Sequence, residues 1–285
     1  MKQLIPFVFA LNLHAASPTD GFLKTANQLL DQKGKVAEAK RLHTLFAADW
    51  KYSMAEFPEF ATSIGHPGVH DRWTDYSRDG IEKRNDYLRE FLRNIQAMDR
   101  SKLAGTDRLN YDLLLKDTAL SVEGLEFKSE TMPVDQLSGV QQSIASTIER
   151  YPRRDLKDYE TLVTMVEKAG ARIDQEVSLM VWGLELGYTP PAVTMRDIPG
   201  QVQNQIFEYA MDSPILLPFK EMPDSISAEE QERLRGAAIK AYENSVRPSY
   251  KKMHSFLLND YLPGALVEIS AIFALLIQNP TCPKT

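Results

Sequence analysis

Apolar residues recur at intervals of three and four along most of this chain, and this spacing limits the possible folds more than any other feature. Such intervals return to one face of an α-helix, whereas a half-buried strand needs strict alternation. The clearest pattern, from Leu156 to Leu186, predicts one long amphipathic helix that ends at Gly187. Its apolar positions are Leu162, Val163, Val166, Ala169, Ile173, Val177, Met180 and Leu184.

Weaker copies of the same pattern predict further helices, separated by segments rich in proline and glycine. These helices fall in 22–57 (one or two), 80–99, 107–127, 137–151, 202–211 and 229–258. Ser227 with Glu230 three residues later predicts a capping box at the start of the last one. Segment 213–225 is predicted to be an extended linker, and short strands are conceivable only near 131–140 and 213–220. We therefore predict an all-α fold, an irregular array of long helices joined by Pro/Gly-rich loops.

Charge and cysteine content exclude several classes of protein. The chain of 285 residues has a net charge of -6, and its lysines and arginines are dispersed. Without a basic stripe to neutralise phosphates, we expect no nucleic-acid partner. One cysteine, Cys282, allows neither an intrachain disulfide nor a zinc site built from two or four cysteines.

The N-terminus has the order of a secretory signal peptide. Lys2 precedes an apolar run over 4–13, and Ala15, Ala16 and Ser17 supply small residues for cleavage. We predict that 1–16 is a signal peptide and that the protein is periplasmic or secreted; the alternative is a short buried helix. Ten apolar residues are too few to span a bilayer, so we expect no stable membrane anchor. The segment 266–285 is an atypical apolar tail, and its apolar run is also too short for a membrane span. The alternative interpretation of this tail is a final buried helix.

The histidines and acidic residues give no convincing metal site. His66 and His70 are four residues apart, but Pro67 and Gly68 between them break a helix. The four residues Asp71, Asp75, Asp79 and Glu82 match the first, fifth, ninth and twelfth positions of a calcium-binding EF-hand loop. Trp73 and Tyr76 occupy the third and sixth positions, where an oxygen ligand and a glycine are needed. Serine-hydrolase, P-loop and dinucleotide-binding motifs are also missing from the sequence. We assign no catalytic residue, no metal ligand and no cofactor to this chain.

The best candidates for contact with a substrate lie near the end of the long helix. Trp182 and Tyr188 belong to a cluster of aromatic, glycine and proline residues that ends at Pro191, and Arg196 and Gln201 follow it. Rings and exposed backbone at such a place could hold a peptide. The alternative is that this is a helix end packed on the core.

Several blocks of this sequence, taken in order, resemble a bacterial family known as domain of unknown function 885. They are FPEFATSIG (57–65), Asp174-Gln175, GLELGYTPP (183–191), LPF (217–219), MPDSI (222–226) and the segment 237–265. The resemblance implies a large helical fold, frequent export, and a zinc peptidase motif of the HExxPGHH type in the later half. No histidine of this sequence is followed by glutamate, so no zinc ligand can be transferred. We expect the resemblance to break after Ala265, as a truncation or frameshift would cause.

Two functions therefore stay open for the segment 17–265. In the first, it is the N-terminal helical portion of an exported zinc-metallopeptidase-like protein, truncated and inactive by itself. Its partners would then be a peptide substrate or the missing C-terminal half, and zinc would belong only to the full-length family. In the second, it is a stand-alone helical module that binds peptides or proteins without catalysis.

Overall fold

The computed structural model describes residues 17–68 and 70–265, which form twelve α-helices joined by loops, short 3₁₀ turns and two π-helical segments. The first six helices are α1 (Pro18–Asp31), α2 (Glu38–Glu56), α3 (Pro58–Ser63), α4 (Arg78–Gln96), α5 (Gly105–Gly124) and α6 (Val140–Arg150). The others are α7 (Leu156–Leu186), α8 (Ala192–Met195), α9 (Ile198–Gln203), α10 (Ala228–Ala241), α11 (Arg247–Phe256) and α12 (Leu262–Gly264). No β-strand occurs in the described part of the chain, which confirms the all-α prediction.

The long central helix α7 has the bounds that the sequence predicts. Asp155 caps its start, where the side chain accepts a hydrogen bond from the backbone N–H of Asp158 (3.0 Å). Gly187 ends it at φ 72°, a left-handed conformation that glycine adopts without steric cost. The apolar stripe of α7 is buried, so the three-to-four spacing identified the core face correctly.

The final helical region runs almost without interruption from α10 to α12. A π-helical segment, Tyr242–Val246, joins α10 to α11, and a second, Leu257–Tyr261, joins α11 to α12. Ser227 caps α10 by accepting a hydrogen bond from the N–H of Glu230 at 3.3 Å, which confirms the first half of the predicted capping box. The second half is not formed, because the side chain of Glu230 pairs elsewhere. The carboxylate of Glu230 binds Arg233 at 2.6 Å, an i,i+3 contact on the exposed helix surface.

Three local predictions are wrong. The helix expected at 202–211 lies earlier, at α9, because Pro199 fits the first turn of a helix, where no backbone N–H is needed. Segment 213–225 is not an extended linker: Pro214–Phe219 forms a 3₁₀ helix capped by Ser213. The strands considered near 131–140 and 213–220 are absent, since Pro214 starts a helical turn and buries Ile215 and Phe219.

Two hydrophobic cores stabilise the fold. The first core lies among α1, α2, α4 and α5 and is rich in aromatic rings, including Phe22, Tyr52, Tyr87 and Phe91. The rings of Tyr52 and Tyr87 stack with centroids 3.6 Å apart. The second core is larger and surrounds α7, against which α6, α10 and α11 pack.

The loop between α3 and α4 connects the two halves by lying along α7. Trp73 donates its indole N–H to the carbonyl of Met165 (2.9 Å), and the ammonium of Lys168 donates to the carbonyl of Asp71 (2.6 Å). Further along, the N–H of Tyr76 donates to the side-chain oxygen of Gln175 (2.9 Å). These bonds place the loop at the boundary between the two cores.

The described helices include none that is both long and apolar enough to cross a membrane. The predicted signal peptide, 1–16, and the apolar tail, 266–285, lie outside the described residues.

Candidate functional site

A cleft opens where the loop before α4 meets α6 and α7. It consists of two neighbouring cavities of about 470 Å³ and 260 Å³, which share Tyr76, Ser143 and Arg172. We call the two cavities together the central cleft. The larger one lies within the size range of ordinary small-molecule and peptide sites. Its walls mix apolar side chains, such as Ile81, with charged ones.

Arg172 of α7 is the most unusual residue of the central cleft. Its side chain is only 8% exposed and pairs through Nη2 with the carboxylate of Glu176, which is 4% exposed. The other terminal nitrogen, Nη1, is buried and has no hydrogen-bond partner. A buried charged donor without an acceptor costs free energy, commonly more than 1–3 kcal/mol. Because the side chain of Arg172 lines the cleft, a ligand oxygen is the kind of acceptor that could complete its hydrogen bonds.

Two guanidinium groups, those of Arg172 and Arg84, lie against the aromatic ring of Tyr76. The Cζ atom of Arg172 lies 3.7 Å from the ring centroid of Tyr76, and that of Arg84 lies 5.3 Å from the same centroid. Arg84 is also held by the carboxylate of Glu56 (2.9 Å) and by the carbonyl of Asp75 (2.6 Å). These contacts fix both guanidinium groups, so a ligand would meet a preorganised surface.

Glu176 connects the cleft to the start of α6. One oxygen binds Arg172, and the other accepts the N–H of Val140 (3.1 Å) in the first turn of that helix. The hydroxyl of Tyr250 donates to the carbonyl of Val140 (2.8 Å), which ties α11 to the same point. Burial raises the pKa of Glu176, although the charge of Arg172 opposes the shift.

The four residues predicted to face a substrate do not line the central cleft, and their role in binding stays a prediction. Trp182 lies between two cations, with Arg78 4.7 Å and Lys128 5.6 Å from its ring centre. The N–H of Tyr188 closes the end of α7 by donating to the carbonyl of Gly183 (2.8 Å). The exposed Arg196 pairs with Asp197. Gln201 binds the carbonyl of Gln136 (3.2 Å).

The two loop histidines lie close together beside another cavity, of about 360 Å³. The ring centroids of His66 and His70 are 6.1 Å apart, and Nδ1 of His70 is 2.8 Å from the hydroxyl of Thr62. Burial and the neighbouring His66 lower the pKa of His70. Across the described ranges, no three histidine, cysteine or acidic side chains are grouped to hold a metal ion. These residues therefore do not fit the zinc ion that the family resemblance implies.

The acidic residues of the EF-hand-like pattern have separate partners. Asp71 lies 3.6 Å from Lys168, and Asp75 accepts a hydrogen bond from Gln175 (2.8 Å). The other two pair on the surface of α4, Asp79 with Lys83 and Glu82 with Arg89. The pattern reflects helix and loop pairing and gives no shared centre.

The sequence contained one indication of the central cleft, a pair of charged residues on the apolar stripe of α7, and apolar spacing alone does not reveal its meaning. Arg172 lies three residues after Ala169, and Glu176 lies four residues before Met180, so both fall on the apolar stripe of α7. A charged pair on a buried face is rare and needs compensation. The loop residue Tyr76, which completes the site, has no such signal because its position depends on tertiary contacts.

Comparison with known proteins gives one result for most of this chain. A family model described as "bacterial protein of unknown function (DUF885)" matches residues 58–279. The match extends past Ala265, so the expected break in the resemblance at that residue is wrong. It includes every residue that lines the central cleft except Phe57. No curated protein matches the chain.

Proposed function

The chain belongs to the bacterial DUF885 family, and on that premise we propose that it is the N-terminal helical portion of an exported zinc-metallopeptidase-like protein. In this proposal the chain holds a peptide in the central cleft and has no peptidase activity by itself. The single observation that supports peptide binding best is the buried, unpartnered Nη1 of Arg172, a residue whose side chain lines the cleft. The lack of cleavage rests on the sequence, in which no HExxH motif occurs.

The lining of the central cleft is chemically suited to a peptide. Ile81, Leu125 and Leu179 provide apolar surface, and Asn85 and Ser143 provide side chains that can donate and accept hydrogen bonds. A peptide needs both kinds of contact, because its backbone is polar at every residue and its side chains are often apolar.

Trp73 supplies a way to test peptide binding, because it lines the smaller cavity of the cleft. The other two tryptophans, Trp50 and Trp182, lie outside the cleft, and replacing both with phenylalanine leaves Trp73 as the one fluorophore of this type. We expect short peptides with leucine side chains to shift its emission in a saturable way. Mass spectrometry of the same mixture should recover the peptide intact. An emission of Trp73 that stays unchanged at high peptide concentration, or a cleaved peptide, contradicts the proposal.

The alternative is a stand-alone helical module that binds peptides or proteins. The observation that favours it is that each half of the described chain encloses its own buried core. Translating the DNA downstream in all frames distinguishes the two: an HExxPGHH-type motif supports the metallopeptidase-like protein, whereas unrelated sequence supports the module.

A further inference from the structure

Arg172 has an incomplete set of hydrogen bonds, and the free nitrogen, Nη1, indicates where a further partner would bind. Glu176 occupies Nη2, the ring of Tyr76 covers one face of the guanidinium, and Nη1 stays buried without an acceptor. An arginine fork normally binds a planar acceptor through two nitrogens, and here only one nitrogen is used. The side chain lines both cavities of the central cleft. Nη1 itself is buried, so an acceptor in the cleft reaches it only when the side chains that cover this atom move.

The groups around Nη1 favour a singly charged anion. Arg84 adds a second cation beside the ring of Tyr76. Gly139, on the cleft wall, is the N-cap of α6, and a helix carries partial positive charge at this end. Glu176 and Glu130 oppose these charges from the same cavity. The two arginines and the two glutamates of this cavity balance, so its lining has no excess positive charge for a phosphate group with nearly two negative charges.

Two further carboxylates near the cleft are already held in hydrogen bonds. Glu56 binds Arg84 at 2.9 Å. Glu59 accepts from the N–H of Thr74 at 2.8 Å and from its hydroxyl at 2.6 Å. These bonds occupy the two carboxylates, so they oppose an incoming anion less than Glu176 and Glu130 do.

We propose, on the basis of the peptide-binding function above, that the central cleft recognises the carboxylate of a peptide through Nη1 of Arg172. The carboxylate comes from the C-terminus or from an acidic side chain. Apolar side chains of the same peptide pack on Ile81, Leu125 and Leu179. The carboxylate accepts a charge-assisted hydrogen bond from a donor that is otherwise buried without a partner.

Calorimetric titration with three matched peptides tests this inference on the full chain. The first is acetyl-Ala-Ala-Leu with a free C-terminal carboxylate, and the second is the same peptide as its C-terminal amide. The third is acetyl-Glu-Ala-Leu amide, which moves the carboxylate to a side chain. We expect the first or third peptide to bind at least about tenfold more tightly than the second, as one charge-assisted bond allows. The tighter of the two identifies the source of the carboxylate.

Two substitutions test whether Arg172 is responsible. Arg172→Lys keeps a cation beside Glu176 but has one nitrogen where arginine has two terminal ones. The ratio of affinities between the carboxylate peptide and its amide should therefore fall to about one. Glu176→Gln removes the competing carboxylate and should increase affinity for the acidic peptide. Arg100→Lys is the matched control, because Arg100 pairs with Asp112 on the exposed surface outside the cleft. Arg100→Lys should change neither the affinity for the peptides with a carboxylate nor the affinity for the amide.

Each outcome separates this inference from the proposed function. Equal binding of all three peptides overturns carboxylate recognition and leaves peptide binding intact. No binding of any peptide overturns both. Circular dichroism and melting curves check each variant, and if Arg172→Lys does not fold, the wild-type comparison and Glu176→Gln still decide the question.

Discussion

Replacing Gly170 with alanine tests how α7, which carries Arg172 and Glu176, is held against the π-helical segment Tyr242–Val246. Gly170 faces the π-helical segment 242–246, and Ser245 bonds to the α7 backbone there. The hydroxyl of Ser245 accepts from the N–H of Gly170 (3.1 Å) and donates to the carbonyl of Glu167 (2.6 Å). Such a close approach of two helices leaves no room for a side chain at residue 170.

The size of the effect follows from the distances that a Cβ atom at residue 170 would have. It would lie 2.4 Å from Oγ, 2.5 Å from the carbonyl oxygen and 2.8 Å from the carbonyl carbon of Ser245. Two of these atoms are backbone, so the helices must move apart, which costs about 1–3 kcal/mol. The better helix propensity of alanine returns about 1 kcal/mol. We expect a net loss of up to about 2 kcal/mol in the free energy of unfolding.

Gly236 in α10 is the matched control, because nothing lies within 4 Å of a Cβ built there. Gly236→Ala should stabilise the protein by about 0.5–1 kcal/mol, since alanine restricts the unfolded chain and favours the helix. Urea unfolding followed by circular dichroism measures both variants against the wild type. If Gly170→Ala is as stable as Gly236→Ala, the close contact between α7 and the π-helical segment is refuted.

Three other predictions concern the buried glutamate, the cap of α7 and the leader. The unfolded chain releases the proton of Glu176 near the ordinary pKa of 4.5, and the folded chain holds it to higher pH. Its contribution to stability therefore falls as pH rises above about 4.5. Urea unfolding from pH 4.5 to 8 should show the wild type losing stability relative to Glu176→Gln, and a relative gain would mean that Arg172 lowers this pKa. Asp155→Ala should cost about 1 kcal/mol and Asp155→Asn much less, because asparagine also caps helices; equal losses in thermal unfolding would contradict the capping role. Mass spectrometry of the exported protein should find a start near Ala16 or Ser17, whereas an intact Met1 in the cytoplasmic fraction would contradict secretion.

The sequence predicted α7 well because its apolar stripe, its capping aspartate and its terminal glycine all indicate the same bounds. It failed at 198–219, where Pro199 and Pro214 were interpreted as breaks although proline is also suited to the first turn of a helix. Local patterns cannot distinguish these two uses, because the choice depends on burial of neighbours such as Ile198 and Phe219.

The candidate site was harder to predict than the fold. The four residues selected from the sequence were chosen for their ring and backbone chemistry at a helix end. The central cleft depends instead on Tyr76 reaching Arg172, although the two are distant in sequence. They meet only because the loop runs along α7 in the folded chain, and residue spacing in the sequence does not predict that course.

Photo-crosslinking tests most directly whether peptides bind in the central cleft. A leucine-containing peptide with a free carboxylate and a benzophenone group would be irradiated with the full chain, and the attached residues identified by mass spectrometry. The account predicts attachment in the cleft-lining segments around Tyr76, Leu125 and Leu179, with unlabelled peptide suppressing it. Attachment concentrated between Trp182 and Gln201, or unaffected by competing peptide, would contradict it.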